Sequence, residues 1–150
     1  MNKELFELDK LFKSNKFDKV ILRTKKLIKK GENFAPYYNL LGISLDNTGE
    51  TLKAEKIFLE AIKKNNKEIS YYSNLGKVLI KQNKLKEAEN ILTEALSIKS
   101  EDIFSLFELG KLKKLQKNLF EAVDYFKKVY NINSNFPNAL FMIGKTYLEI

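Results

Sequence analysis

Residues 38–61 open with Tyr38-Asn39-Leu40-Leu41-Gly42-Ile43-Ser44-Leu45 and, after a polar break, continue as Ala54-Glu55-Lys56-Ile57-Phe58-Leu59-Glu60-Ala61. Reduced to its skeleton, this is Tyr-x-x-Leu-Gly-x-x-Leu followed by Ala-x-x-x-Phe-x-x-Ala. Steps of three, four and seven residues place these side chains on one face of a helix, not on alternate faces of a strand. The same skeleton returns 34 residues later as Tyr72, Leu75, Gly76 and Leu79, then Ala88, Leu92 and Ala95. Leu109-Gly110, Ala122 and Ile143-Gly144 hold the interval to the end of the chain. A fixed period of this length means stacked copies of one small unit, so function is expected on a surface.

The chain divides into units 1–34, 35–68, 69–102 and 103–136 and a partial unit 137–150. The spacing predicts two helices per unit, over about 36–47 and 52–64 in the second copy, joined by a turn. Ser14-Asn15, Asn47-Thr48-Gly49, Gln82-Asn83 and Lys117-Asn118 mark these turns with residue types that accept the left-handed conformation closing a helix. Pro36 and Pro137 fall near the start of a first helix, where a missing backbone N–H costs nothing. A glycine inside a helix is about 1 kcal/mol worse than alanine, so four of them at one register imply a return in close helix packing.

This pattern resembles the tetratricopeptide repeat, over the whole chain and most strongly from 35 to 147. The resemblance implies an all-α fold, a right-handed solenoid of antiparallel helix pairs with about four and a half repeats forming one array. It implies structural roles for Gly42, Ala54 and Ala61 and their counterparts. The chain departs from the family in three places. Glu32, Asn66, Ser100 and Ser134 stand where a proline is usual near the end of each unit. Lys113 replaces Leu45 and Leu79, and Glu4, Glu7 and Leu8 replace the aromatic, Leu and Gly of the first unit.

Composition removes several function classes. There is no Cys, hence no disulfide, thiolate metal site or cysteine nucleophile, and no His, hence no imidazole base or ligand. Carboxylate pairs such as Glu87 with Glu89 or Glu101 with Asp102 are too close in sequence to share a helix face. The six glycines are dispersed by the repeat and form no phosphate-cradling loop. We therefore expect no catalytic residue, no metal and no cofactor, and read the chain as a non-enzyme. No run of 18 apolar residues and no hydrophobic leader occur, which reads as cytoplasmic.

The net charge of +8 is unevenly spread: unit one carries 10 basic against 5 acidic residues, unit four 6 against 3, and units two and three are balanced. Lys19, Arg23, Lys26 and Lys30 form a basic stripe on one helix, a candidate anion-binding patch. Arg23 is the one arginine among 27 basic residues, whereas phosphate and base readout favour arginine. Nucleic acid and membrane partners are accordingly disfavoured.

In proteins with this repeat the first helices line a concave groove that holds a partner's peptide or helix. Carried over by position, that groove comprises Asn39, Ile43, Asn74, Lys77, Lys81, Phe107, Glu108, Lys111, Phe141 and Lys145, with Asn47, Ser73, Phe104 and Met142 beside them. Asn amides suit a ligand backbone, the Phe side chains suit apolar anchoring, and the lysines suit acidic residues. Ile43, Phe104 and Glu108 stand where the family's carboxylate clamp needs polar or basic donors, which argues against a chaperone-tail adaptor. Pro137–Ile150 is apolar for a terminal helix, so we expect either the N-terminal part of a longer protein or self-association through 137–150. The leading expectation is a non-catalytic scaffold for a protein or peptide partner. The alternative is the N-terminal, substrate-presenting arm of a larger glycosyl- or sulfo-transferase.

Overall fold

The computed structural model describes residues 3–32 and 34–150; Met1, Asn2 and Asn33 of the first unit lie outside them. The described residues form helices and no strand: α1 (Lys3–Lys13), α2 (Phe17–Lys29), α3 (Ala35–Asn47), α4 (Thr51–Lys64), α5 (Ile69–Lys81), α6 (Leu85–Ile98), α7 (Ile103–Leu115), α8 (Leu119–Ile132) and α9 (Ala139–Tyr147). The expected bounds in the second unit hold to within a residue. The partial unit starts late, because Pro137 is followed by Asn138 at φ 66° and α9 begins only at Ala139.

Each hairpin turn is closed in the same way. After α3, the Gly49 N–H donates to the Asp46 carbonyl at 3.1 Å and the Glu50 N–H to the Leu45 carbonyl at 2.8 Å. This pair of bonds satisfies the last carbonyls of the helix around one left-handed residue. That residue is Asn15, Gly49, Asn83 and Lys117 in successive units, again 34 apart. In the fourth turn the left-handed site therefore falls on Lys117, not on the more tolerant Asn118, whose φ is −84°. The register set by helix packing outweighs local residue preference here.

Within a hairpin, the glycines let the helices meet. A Cβ on Gly42 would lie 2.6 Å from the Phe58 ring, on Gly76 2.5 Å from Leu92 Cγ, and on Gly110 2.6 Å from the Phe126 ring. Phe58, Leu92 and Phe126 are fully buried and fill the space the missing side chains leave. The first unit inverts the sizes at these two positions: Leu8 occupies the glycine register and Thr24 that of Phe58, both buried. Thr24 satisfies its hydroxyl on the Val20 carbonyl at 2.7 Å. One core cluster then runs through the stack from Ile21 to Leu112.

Lys113, the odd residue at a leucine register, is buried among acids. Its ammonium lies 2.7 Å from Glu89 and 3.2 Å from Glu121, and Gln116 donates a further bond to Glu89. Bonding to Lys113 holds the Glu89 carboxyl below its ordinary value of 4.5, and the same bond raises Lys113.

First helices approach first helices of the next unit, α1 to α3, α3 to α5 and α5 to α7, whereas second helices mostly do not approach one another. The first helices therefore form the inner wall.

Substitutions at Gly76, Gly144 and Lys113 test these contacts. Gly76→Ala lowers stability in urea unfolding by about 1–2 kcal/mol, since overpacking outweighs the helix-propensity gain; Gly144→Ala, with nothing within 4 Å, raises it by about 0.5–1 kcal/mol. Because the Glu89 carboxyl is depressed in the fold, its contribution is present above the unfolded value and drains as pH falls through the lowered one. Lys113→Leu should leave stability at neutral pH unchanged to within about 1 kcal/mol. It should also flatten the loss measured between about pH 6 and pH 3.

Candidate functional site

The inner wall is organised by a simple offset: residue i of one first helix faces residue i+35 of the next. Asn74 Nδ2 donates to Asn39 Oδ1 at 3.0 Å, Lys81 Nζ to the Asp46 carboxylate at 2.6 and 2.7 Å, and Lys114 Nζ to Glu149 at 2.5 Å. Each of these pairs joins residues one repeat plus one position apart, with Glu149 standing just past the end of α9.

Asp46 decides the electrostatics of the α3–α5 part of this wall. Its carboxylate is buried and bonded to Lys81, with Lys77 Nζ at 3.2 Å. Lys111 in turn lies 2.7 Å from the largely buried Glu108 on its own helix. The lysines expected to offer positive charge thus meet a carboxylate already in place, at Lys77, Lys81 and Lys111. Asp46 was not among the expected residues. A signal for it existed, because an acid in the last turn of a helix opposes the macrodipole and calls for a cationic partner.

Beyond this ionic stretch the wall becomes aromatic. A cleft of about 630 Å³ is lined by Ser73, Asn74, Lys77, Phe104, Phe107 and Glu108 together with Asn133, Phe136, Pro137 and Asn138. Phe136 packs against Phe104 at 5.6 Å and against Phe107 at 5.1 Å between ring centroids. Phe107 also meets Phe126 at 5.5 Å and carries the Lys111 ammonium 5.9 Å above its ring. Phe136 comes from the segment between α8 and α9, outside the first-helix positions from which the groove was read.

Of the expected groove residues, Asn74, Lys77, Phe107 and Glu108 share this cleft, and Asn39 joins them through Asn74. Ile43 is half-buried on α3, and Lys81 is exposed and tied to Asp46. Lys111 lines a second cleft of about 360 Å³ with Lys114, Leu115, Lys117, Met142 and Glu149. Phe141 and Lys145 line neither cleft; both are exposed on α9.

The basic stripe does form one surface. Lys19, Arg23, Lys26 and Lys30 line a cleft of about 540 Å³ with Glu4, Leu11, Leu22 and Leu27. Glu4 already engages the lone arginine, however, with Arg23 Nε donating to it at 3.0 Å and Nη2 at 2.9 Å. An anion entering here would compete with that carboxylate. Among the described residues, no helix is long and apolar enough to cross a membrane.

Two tetratricopeptide repeat models match the sequence, at residues 69–101 and 35–67, and they coincide with the hairpins α5–α6 and α3–α4. The chain belongs to the tetratricopeptide-repeat family. As an array of these repeats it is a protein-interaction scaffold. No curated protein matches the sequence. Among solved structures, MamA matches with a TM-score of 0.80 at 20% identity, over 99% of this chain and 85% of that one. MamA 41-end from Desulfovibrio magneticus RS-1 matches with 0.80 at 16%, over 97% and 82%. The Arabidopsis OM64 TPR domain matches with 0.73 at 19%, over 77% of this chain and 96% of that domain. At these identities the likeness is one of fold, and it extends the repeat architecture beyond the two hairpins matched above.

Replacing Asp46 tests the electrostatic account of the array. Asp46→Asn removes charge-assisted bonds to two lysines and should lower stability by about 1–3 kcal/mol in urea unfolding. Lys77→Met should cost less than half as much, since Lys81 keeps the carboxylate paired.

Proposed function

We propose that this tetratricopeptide array is a non-catalytic module that binds an extended segment or helix of a partner protein along its first-helix wall. The observation that carries the reading is the cleft at α5 and α7, where the amide of Asn74 adjoins the ring cluster of Phe104, Phe107 and Phe136. Aromatic rings in a desolvated pocket supply most of the energy in such contacts, and a neighbouring amide fixes a ligand's backbone. Asn74 spends one N–H on Asn39 and keeps its carbonyl oxygen and second N–H for a partner.

The charge pattern refines the ligand. Since Asp46 and Glu108 already engage Lys77, Lys81 and Lys111, an acidic segment gains only by displacing internal partners. A bulky apolar or aromatic anchor residue is therefore the main requirement, with acidic flanks secondary.

Peptide display against the immobilised chain should enrich sequences with an aromatic or large aliphatic anchor. Phe107→Ala and Asn74→Ala should each weaken a selected peptide at least about tenfold, about 1.4 kcal/mol. Alanine at Lys19, Arg23, Lys26 and Lys30 together should leave it unchanged. Equal binding by wild type and the Phe107 variant would overturn the reading.

A further inference from the structure

Tyrosine stands at 38 and 72, and one period later the same register holds Leu106. All three are buried at the joint between successive hairpins. Tyr72 shows what the longer side chain does there: its hydroxyl donates to the Asn66 carbonyl at 3.0 Å. Burial, and after it the neighbouring Glu94 carboxylate, hold that hydroxyl above its ordinary pKa of 10. The phenol therefore ends between residues 66 and 94. Moved on by 34, these positions are Ser100 and Lys128. Ser100, Lys128 and Leu106 line one cleft of about 540 Å³ where α6, α7 and α8 meet. A leucine is shorter than a tyrosine and carries no hydroxyl, so it leaves open at this joint the place that a phenol fills at the one before.

We propose that this cleft is a binding site for the side chain of a partner protein's tyrosine, which takes the place of the ring that Leu106 lacks. The remaining walls suit a ring. Leu96 and Ile132 are apolar, and Tyr125 stands where the earlier hairpins have Ile57 and Ile91, offering an aromatic face for stacking. Tyr125 does not itself supply the lost phenol, because the charges acting on its hydroxyl are those of Glu121, Lys113 and Glu89, not of the Ser100 end. The exchange of Glu94 for Lys128 favours a ligand's oxygen. A phenol that donates to the Ser100 carbonyl, as Tyr72 does to Asn66, keeps lone pairs that an ammonium satisfies and a carboxylate does not. A site so built selects tyrosine over phenylalanine. It lies between α6 and α8, apart from the cleft of the first-helix wall, and does not rest on the reading of that wall.

The test titrates the full, isotope-labelled 150-residue chain with N-acetyl-tyrosinamide, N-acetyl-phenylalaninamide and p-cresol, read by amide chemical shifts. The tyrosine probe should shift Ser100, Leu106 and Tyr125 saturably and bind at least about fivefold tighter than the phenylalanine probe. Leu106→Tyr, which supplies the ring from within, should abolish this binding without lowering the urea midpoint. Lys128 is exposed, so Lys128→Met keeps the fold, and it should bring the two probes to within about twofold of each other. Absence of saturable shifts would overturn the proposal, as would equal affinity of the wild type for both probes or undiminished binding by Leu106→Tyr. Loss of the tyrosine signal in Asn74→Ala would overturn it by placing the probe on the first-helix wall. Saturation by p-cresol without N-acetyl-tyrosinamide would overturn it by giving the cleft to a free phenol.

Discussion

The contact on which the rest of the molecule depends is the seating of a large side chain against a helix that has no Cβ at that point. Phe58 on Gly42, Leu92 on Gly76 and Phe126 on Gly110 bring two backbones together, and the hairpin so formed has one fixed shape. Because the shape is fixed, successive hairpins repeat the same turn, with a left-handed residue at 15, 49, 83 and 117, and stack at the same offset. Even a lysine is drawn into the left-handed region at 117, although that conformation costs non-glycine residues about 1–2 kcal/mol. Local preference yields because the packing on either side is worth more.

From that stacking follows the offset of 35 that pairs Asn39 with Asn74 and Asp46 with Lys81. The inner wall is therefore electrostatically self-contained in its middle and aromatic toward α7, which shifts the source of affinity from charge to ring contact. Lys113 shows the same economy on the other side of the stack. A cation at a core register is accommodated because Glu89 and Glu121 come within reach of it.

Much of this was legible in the amino acids. The interval of the glycines and alanines gave the period, the unit boundaries and the helix pairs, because close helix contact tolerates few residue types and so leaves a mark on sequence. Asn74, Lys77, Phe107 and Glu108 followed from their place on the first helices, and they do share a cleft. Three things were not legible, for one reason each. Phe136 lies between helices, where no periodicity points. The pairing of Asp46 with lysines on the next unit depends on how neighbouring hairpins pack, which leaves no mark on the sequence of either one. Phe141 and Lys145 keep the right register on α9, but register alone does not bring a residue into the cleft, and the segment carrying Phe136, Pro137 and Asn138 lines that part of the wall.

Among the described residues, the main packing of each hairpin is against those directly before and after it. Such a ribbon has no single centre whose loss dissolves the whole, so its melting is a matter of neighbours. Opening of one hairpin should therefore pass to its neighbours in turn and not release the whole array at once. A ligand held along α5 and α7 would then act as a splint across a joint, slowing the passage of that opening from one hairpin to the next.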